Sequence, residues 1–164
     1  IDEQGRCLGN TGGHIMFNNF SKNWKYLEEQ GIISNQEYIN ATFTQHYRTV
    51  EEFRAPFDNK DSAISKSGLI LKSCETMITE CPYKIHYSNN KDTMSPRDYA
   101  KTLIPTMRSW SETVFRNALV NRTDREINEI VDKFYNLYID EVSNDPEGHA
   151  MDYVHVIMDI EKAY

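Results

Sequence analysis

The segment SPRDYAKTLIPTMRSWSETVFRNALVNRTDREINEIVDKFYNLYIDEVSN, residues 95–144, decides the fold because it predicts two long helices joined by a short connection. Ser95 is followed by a proline and then by Asp98, and Thr123 lies three residues before Glu126, so both stretches have the pattern of a helix N-terminus. Two helices with a tight connection are expected to pack as an antiparallel pair. The apolar residues at helical spacing are Tyr99, Leu103, Met107, Trp110, Val114 and Leu119 in the first half, and Ile127, Ile130, Val131, Phe134, Tyr138 and Val142 in the second.

The residues before this pair predict three more helix positions. One helix is expected from about His14 to Gln30, with Gly31 as its C-terminal stop. Its apolar stripe consists of Phe17, Phe20, Trp24 and Leu27. Capping-box spacing in Ser34-x-x-Glu37 and Thr49-x-x-Glu52 predicts two further helix starts.

Two segments have the character of strands. Residues 68–72, GLILK, are short and apolar, and residues 152–162, DYVHVIMDIEK, alternate between two faces. The first face carries Val154, Val156, Met158 and Ile160, and the second carries Tyr153, His155, Ile157 and Asp159. Residues 58–68 are predicted as an exposed turn and residues 86–96 as a loop. The expected class is α+β, with the last strand paired to residues 67–76.

Composition narrows the class of protein. At 164 residues the chain has the length of one domain and can bury a core without a disulfide framework. The cysteines, Cys7, Cys74 and Cys81, are odd in number and lack zinc or redox spacing, which favours a reducing cytoplasm. A net charge of -7 without a basic run argues against a nucleic-acid partner. Because no apolar stretch approaches the length of a bilayer span, no membrane partner is predicted.

Sequence motifs for nucleotide binding, serine hydrolysis and zinc proteolysis are absent from the chain. His149 and His155, with Asp152 and Asp159 nearby, are candidate metal ligands. Because the residues of a strand alternate between its faces, His155 and Asp152 are expected to point to opposite sides. No metal site is therefore predicted.

Pro105 interrupts the first long helix and tends to kink it, since proline removes an intrahelical hydrogen bond. Met107 and Trp110 lie on one face beyond it, and a thioether beside a large flat ring suits an apolar planar ligand. The alternative is that both residues belong to the core, as a stripe at helical spacing usually does.

The segment NNFSKNWKYLEEQGIISNQEYINATFTQHYRTVEEFRAPF, residues 18–57, resembles the SABATH family of salicylic acid, benzoic acid and theobromine methyltransferases and their animal relatives. The likeness continues through SGLILKSCE (67–75), DYAKTLIPTMRSWSETVF (98–115) and MDYVHVIMDIEKAY (151–164). It spans nearly the whole chain, and the order and spacing of the blocks are more specific than any single block.

The resemblance implies an α+β fragment in which residues 1–164 form the helical cap and the last strands of a Rossmann-like methyltransferase fold. The N-terminal half, with the residues that bind the cofactor S-adenosylmethionine, is expected upstream, so this chain alone is expected to be inactive. The full-length protein is expected to be a cytoplasmic enzyme that O-methylates the carboxylate of a small, largely apolar acid. Members of the family are often dimers, which leaves a homodimer open.

The resemblance also places an acceptor pocket on particular residues. They are Met16, Phe17, Tyr47, Met107, Trp110 and Tyr153. The stretch that helps to hold a metal in some relatives reads Ala41-Thr42-Phe43-Thr44, without the acid and the amide, so a metal is not implied. Phe17 stands where plant members commonly have Trp, which implies a differently shaped pocket.

Methyl transfer to a carboxylate requires no general base, because the acid is already ionised at neutral pH. Alignment of the acid and desolvation of its oxygen would then supply the rate, and no catalytic residue is identified. The alternative is a methyltransferase-like protein that has lost catalysis and uses its helical cap as a protein-interaction module.

Overall fold

Helices and a two-stranded antiparallel sheet form an α+β fold, as expected. The computed structural model describes residues 1–9, 16–43 and 46–163. In these ranges the helices are α1 (Met16–Glu29), α2 (Asn35–Asn40), α3 (Val50–Asp58), α4 (Ala63–Lys66), α5 (Pro82–Asn89), α6 (Pro96–Ala118) and α7 (Asp124–Asn144), and the strands are β1 (Leu69–Thr79) and β2 (Tyr153–Lys162).

Capping boxes begin four of the helices, at each predicted position. In each box the cap hydroxyl accepts a hydrogen bond from the backbone N–H three residues later, and the carboxylate there accepts one from the cap N–H. The pairs are Ser34 with Glu37, Thr49 with Glu52, Ser95 with Asp98, and Thr123 with Glu126. These local hydrogen bonds satisfy donors that a helix start would otherwise leave free.

Helices α6 and α7 form the predicted antiparallel pair. Arg97 near the start of α6 binds Asp140 near the end of α7, with 2.8 Å between Nη1 and Oδ1. Arg116 near the end of α6 donates to Asn128 near the start of α7 at 2.7 Å. Helix α6 is continuous through Pro105.

The buried face of α6 differs from the predicted stripe beyond Met107. It continues through Ser111 and Phe115, whereas Trp110 is 36% exposed and Val114 is half-buried. Ser111 can be buried because its hydroxyl donates to the Met107 carbonyl and lies 2.7 Å from the Tyr135 hydroxyl. Serine is polar, so the pattern of apolar residues at helical spacing did not include Ser111. The predicted stripe therefore ran through Trp110 and Val114 instead.

Helix α1 packs its apolar stripe into the core and ends as predicted. Phe20, Trp24 and Leu27 are at most 2% exposed. Gly31 has φ of +67°, the left-handed conformation that closes many helices. The predicted start of this helix at His14 lies outside the described residues.

The two strands pair antiparallel over their full lengths, from Leu69 opposite Lys162 to Thr79 opposite Tyr153, with an irregularity between Leu71 and Ser73. The predicted pairing of residues 67–76 with the last strand is confirmed, and β1 extends further than predicted. Helices α3 and α4 pack on β1, and Arg54 of α3 donates to the Cys74 carbonyl at 3.0 Å.

Two short helices were not predicted. Helix α4 lies within the predicted turn at 58–68, and α5 covers the first part of the predicted loop at 86–96. Cys81, the N-cap residue of helix α5, makes no side-chain capping hydrogen bond, so the start of this helix carries only a proline signal. Its Tyr87 ring stacks on Tyr99 at 4.8 Å, and this tertiary contact holds α5 against α6. Within the described ranges, no helix combines the length and the apolar character that a membrane span needs.

Candidate functional site

Three of the predicted acceptor residues, Phe17, Tyr47 and Trp110, lie close together in the structure. The ring centroid of Phe17, on α1, lies 6.2 Å from that of Tyr47 and 6.2 Å from that of Trp110 on α6. Tyr47 belongs to the connection between α2 and α3. Rings from two other parts of the chain therefore both contact Phe17.

Phe20 and Phe43 complete this group, and neither was predicted as a site residue. Phe43 lies 5.7 Å from Phe17 and 6.3 Å from Trp110, centroid to centroid. Phe20 stacks on Phe43 at 5.6 Å and lies 6.0 Å from Trp110. The apolar stripe of α1 indicated that Phe20 is buried, but no periodicity marks Phe43. Phe17, Phe20, Phe43, Tyr47 and Trp110 are called the aromatic cluster below.

Met16 and Met107 lie in the core, each 1% exposed. The backbone N–H of Met16 donates to the Gly9 carbonyl at 3.1 Å, and Gly9 donates to the Asp152 carbonyl at 3.1 Å. Gly9 has φ of +72°, and a side chain there would approach the Met16 Cβ to 2.9 Å. The close approach of Gly9 thus covers one side of Met16.

Tyr153 lies on β2 and is 41% exposed. Its ring stacks on His155 at 5.9 Å with an interplanar angle of 10°, on the exposed face of the sheet. Within the described ranges no ring contact joins Tyr153 to the aromatic cluster. Because strand residues alternate between the two faces of a sheet, Tyr153 lies on the exposed face together with Ile157.

The chemistry of the cluster is apolar with one hydroxyl group. Burial raises the pKa of Tyr47 to about 12. The phenol therefore stays protonated at neutral pH, where it can donate a hydrogen bond but cannot act as a base.

A solvent-open cavity of about 210 Å³ lies next to the cluster. Phe20 and Phe43 form part of its wall, together with Trp24 and Phe115. Phe115 lies 5.6 Å from Phe20 and 5.4 Å from Phe43, so the four rings form one continuous aromatic surface. None of the described residues that line this cavity carries a charge.

An ion pair holds α2 against this cavity. Glu37 accepts two hydrogen bonds from Arg122, each 2.8 Å long, and Arg122 also donates to the Ile32 carbonyl. The Arg122 guanidinium, with further hydrogen bonds from Ser34, lowers the pKa of Glu37 to about 2. The Trp24 indole donates to the Glu37 carbonyl at 3.3 Å. The α6–α7 connection, α2 and α1 are thereby joined at one point.

The candidate metal ligands have other contacts. Asp152 accepts a hydrogen bond from the Cys81 N–H at 2.7 Å, whereas His155 stacks on Tyr153. Within the residues that the structure describes, no group of three or more His, Cys, Asp or Glu side chains is arranged to hold a metal ion. Thr44, in the stretch compared with the metal-holding motif, lies outside those residues.

Comparison with known proteins does not assign the chain to a family. No protein-family model matches the chain, and no curated protein is significantly similar to it.

Proposed function

We propose that this chain is the acceptor-binding part of an S-adenosylmethionine-dependent methyltransferase that O-methylates the carboxylate of a small, largely apolar acid. In this proposal the helices form the cap over the acceptor, and β1 and β2 are the last strands of a Rossmann-like sheet. The type of reaction, O-methylation of a carboxylate, is inferred from the resemblance to SABATH methyltransferases.

The observation that carries the proposal is the convergence of Phe17, Tyr47 and Trp110. The resemblance named these residues from positions up to 93 apart in the sequence, and the ring centroid of Phe17 lies 6.2 Å from that of Tyr47 and 6.2 Å from that of Trp110. Flat apolar walls suit a planar acid, because the rings exclude water from it.

The proposed chemistry is consistent with the residues present. An ionised carboxylate needs no base, and the protonated Tyr47 is not one. The work left to the cap is to align the acid and to remove water from its oxygen. Met16 and Met107 would support the pocket from the core rather than line it, and Tyr153 would not contribute.

The test is methyl transfer by the full-length protein from isotopically labelled S-adenosylmethionine to a panel of small carboxylic acids. Saturable transfer to an apolar acid, reduced about 100-fold in Phe17→Ala, is the expected result, because misplacing the acceptor by 1 Å can cost about that much. No transfer to any acid by the folded protein would contradict the proposal and favour the protein-interaction alternative.

A further inference from the structure

Helix α2 leads directly into the connection that carries Phe43 and Tyr47. Its Tyr38 and Ile39 line the solvent-open cavity of about 210 Å³, together with residues of α1, α6 and the connection. A gap of this kind leaves the side chains around it without close partners on one side. Close packing therefore fixes this side of α2 only in part, and other contacts contribute to its position.

Polar contacts hold α2 to the end of α6 and to the connection that follows α6. The Glu37 side chain is 4% exposed and accepts two hydrogen bonds from Arg122, each 2.8 Å long. Such a bidentate pair fixes the relative orientation of the two groups as well as their distance. Asn121, directly before Arg122, has φ of +60°, a left-handed conformation that asparagine tolerates. At the last residue of α2, the Asn40 side chain donates to the Ala118 carbonyl at 3.5 Å.

A series of contacts leads from this ion pair to the aromatic cluster. The Glu37 carbonyl accepts a hydrogen bond from the Trp24 indole at 3.3 Å. The Trp24 ring lies 4.9 Å from that of Phe115, and Phe115 lies 5.4 Å from Phe43, centroid to centroid. Phe43 in turn contacts Trp110 at 6.3 Å. A displacement of α2 would therefore displace Phe43 from its place among the rings of the cluster.

We propose that Glu37 and Arg122 are positioning residues for the acceptor, because their ion pair holds α2 in place. Phe43 and Tyr47, on the connection that follows α2, thereby meet Phe17 in the arrangement that binds the acid. This inference rests on the proposed function, because it assigns the aromatic cluster to the acceptor. It gives the ion pair a role beyond stability: its loss should weaken binding of the acid in a protein that stays folded.

Steady-state kinetics of the full-length protein with benzoic acid and S-adenosylmethionine test this role. Arg122→Met should raise KM for benzoic acid about tenfold, since a displaced aromatic wall binds the acid less tightly. KM for S-adenosylmethionine should not change, because its contacts are expected outside residues 1–164. Glu37→Gln should show the same rise, and the double variant should show no further rise, because the two residues act as one pair.

Thr123→Ala is the matched control, because Thr123 follows Arg122 directly and its hydroxyl binds Glu126 at the start of α7. It should lower stability and leave KM for benzoic acid unchanged. An equal rise of KM in Thr123→Ala would overturn the inference, and so would an unchanged KM in Arg122→Met. If Arg122→Met does not fold, Arg122→Lys replaces it, since lysine keeps the charge but cannot form the two parallel hydrogen bonds. Its KM for benzoic acid should also rise.

A measurement without turnover separates this inference from the proposed function. Nuclear Overhauser contacts between the rings of Phe43 and Trp110 should be present in the unmodified full-length protein, lost in Arg122→Met and retained in Thr123→Ala. Loss of these contacts in Arg122→Met, with no methyl transfer by the unmodified protein, would contradict the methyltransferase and retain the positioning of Phe43 by the ion pair. Contacts that persist in Arg122→Met would overturn the inference whether or not the protein transfers methyl groups.

Discussion

At the scale of single residues, Met107 and Trp110 have different environments although they lie three positions apart on α6. Met107 is 1% exposed and Trp110 is 36% exposed. The Trp110 ring contacts Phe17, Phe20 and Phe43, so its covered part packs on the other rings of the aromatic cluster. The core interpretation therefore applies to Met107, whereas Trp110 remains a candidate pocket residue.

This difference predicts a contrast between two truncations. Met107→Ala should lower the free energy of unfolding by about 2–5 kcal/mol, the cost of removing a buried methionine. Trp110→Ala should cost less than the about 3–5 kcal/mol of a fully buried aromatic, because part of its ring already faces solvent. Urea unfolding measures both.

In the full-length protein, Trp110→Ala should in addition lower kcat/KM about 100-fold through misplacement of the acceptor. A Trp110→Ala protein that is as destabilised as Met107→Ala, yet methylates its acid with unchanged kcat/KM, would show that Trp110 is ordinary core.

Glu37 predicts a pH dependence of stability. Its pKa is lowered to about 2 in the folded protein, from an ordinary value of 4.5. Its contribution is therefore fully present above about pH 4.5 and is lost as the pH falls towards 2. The shift sets an upper limit of about 3 kcal/mol, which partial exposure of Arg122 reduces.

Urea unfolding between pH 7 and pH 2 tests this expectation. The difference in free energy of unfolding between the unmodified protein and Glu37→Gln should be largest at pH 7 and should shrink below pH 4.5. Glu129→Gln is the control, because Glu129 forms an exposed ion pair with Arg125 and should change stability by less than about 0.5 kcal/mol. A Glu37→Gln difference that is constant with pH would contradict the assigned pKa.

At the scale of elements, the long helices could be predicted because each has its own start signal and its own buried face. Helix α7 begins at Thr123, whose hydroxyl accepts from the Glu126 N–H. Helix α5 has no such cap and depends on Tyr87 packing against Tyr99, a contact that local sequence does not reveal.

Removal of the α7 cap should have a local and limited cost. Thr123→Ala should lower the free energy of unfolding by about 1 kcal/mol, the usual effect of deleting an N-cap side chain. Ser109→Ala, an exposed position inside α6, should change it by less than about 0.5 kcal/mol. Equal effects at the two positions in urea unfolding would mean that the capping box adds nothing to the stability of α7.

At the scale of the whole molecule, β1 and β2 form a two-stranded sheet whose exposed face carries apolar as well as charged side chains. Ile70, Met77 and Ile157 are between 45% and 50% exposed on it. An isolated two-stranded sheet is marginally stable, and further strands or a covering layer normally stabilise it. This geometry is consistent with the proposal that the strands belong to a larger sheet.

The proposal assigns acceptor binding to residues 1–164 and cofactor binding to another part of the protein, and this predicts how residues 1–164 interact with S-adenosylmethionine. This 164-residue chain should show no saturable binding of S-adenosylmethionine in the micromolar range by titration calorimetry, because the adenine and ribose contacts are expected upstream. The full-length protein should bind it. Micromolar binding by residues 1–164 alone would mean that the cofactor site had been misplaced.

The sequence by itself determined the helix starts, the strand character of the last segment and the α+β class. These features depend on hydrogen bonds between residues three apart and on the periodicity of apolar residues, and both can be read along the chain. The family resemblance further indicated Phe17, Tyr47 and Trp110, which the fold brings together.

Only the tertiary structure decided which residues share the candidate site. Periodicity reports that a side chain faces inward, but it does not report which side chain from another element lies opposite. Met16 and Met107 are therefore core, Tyr153 lies on a separate sheet face, and Phe43 joins the cluster without any periodic signal. The physical reason is that these contacts join residues far apart in the chain, whose meeting depends on how α1, α6 and the α2–α3 connection pack together.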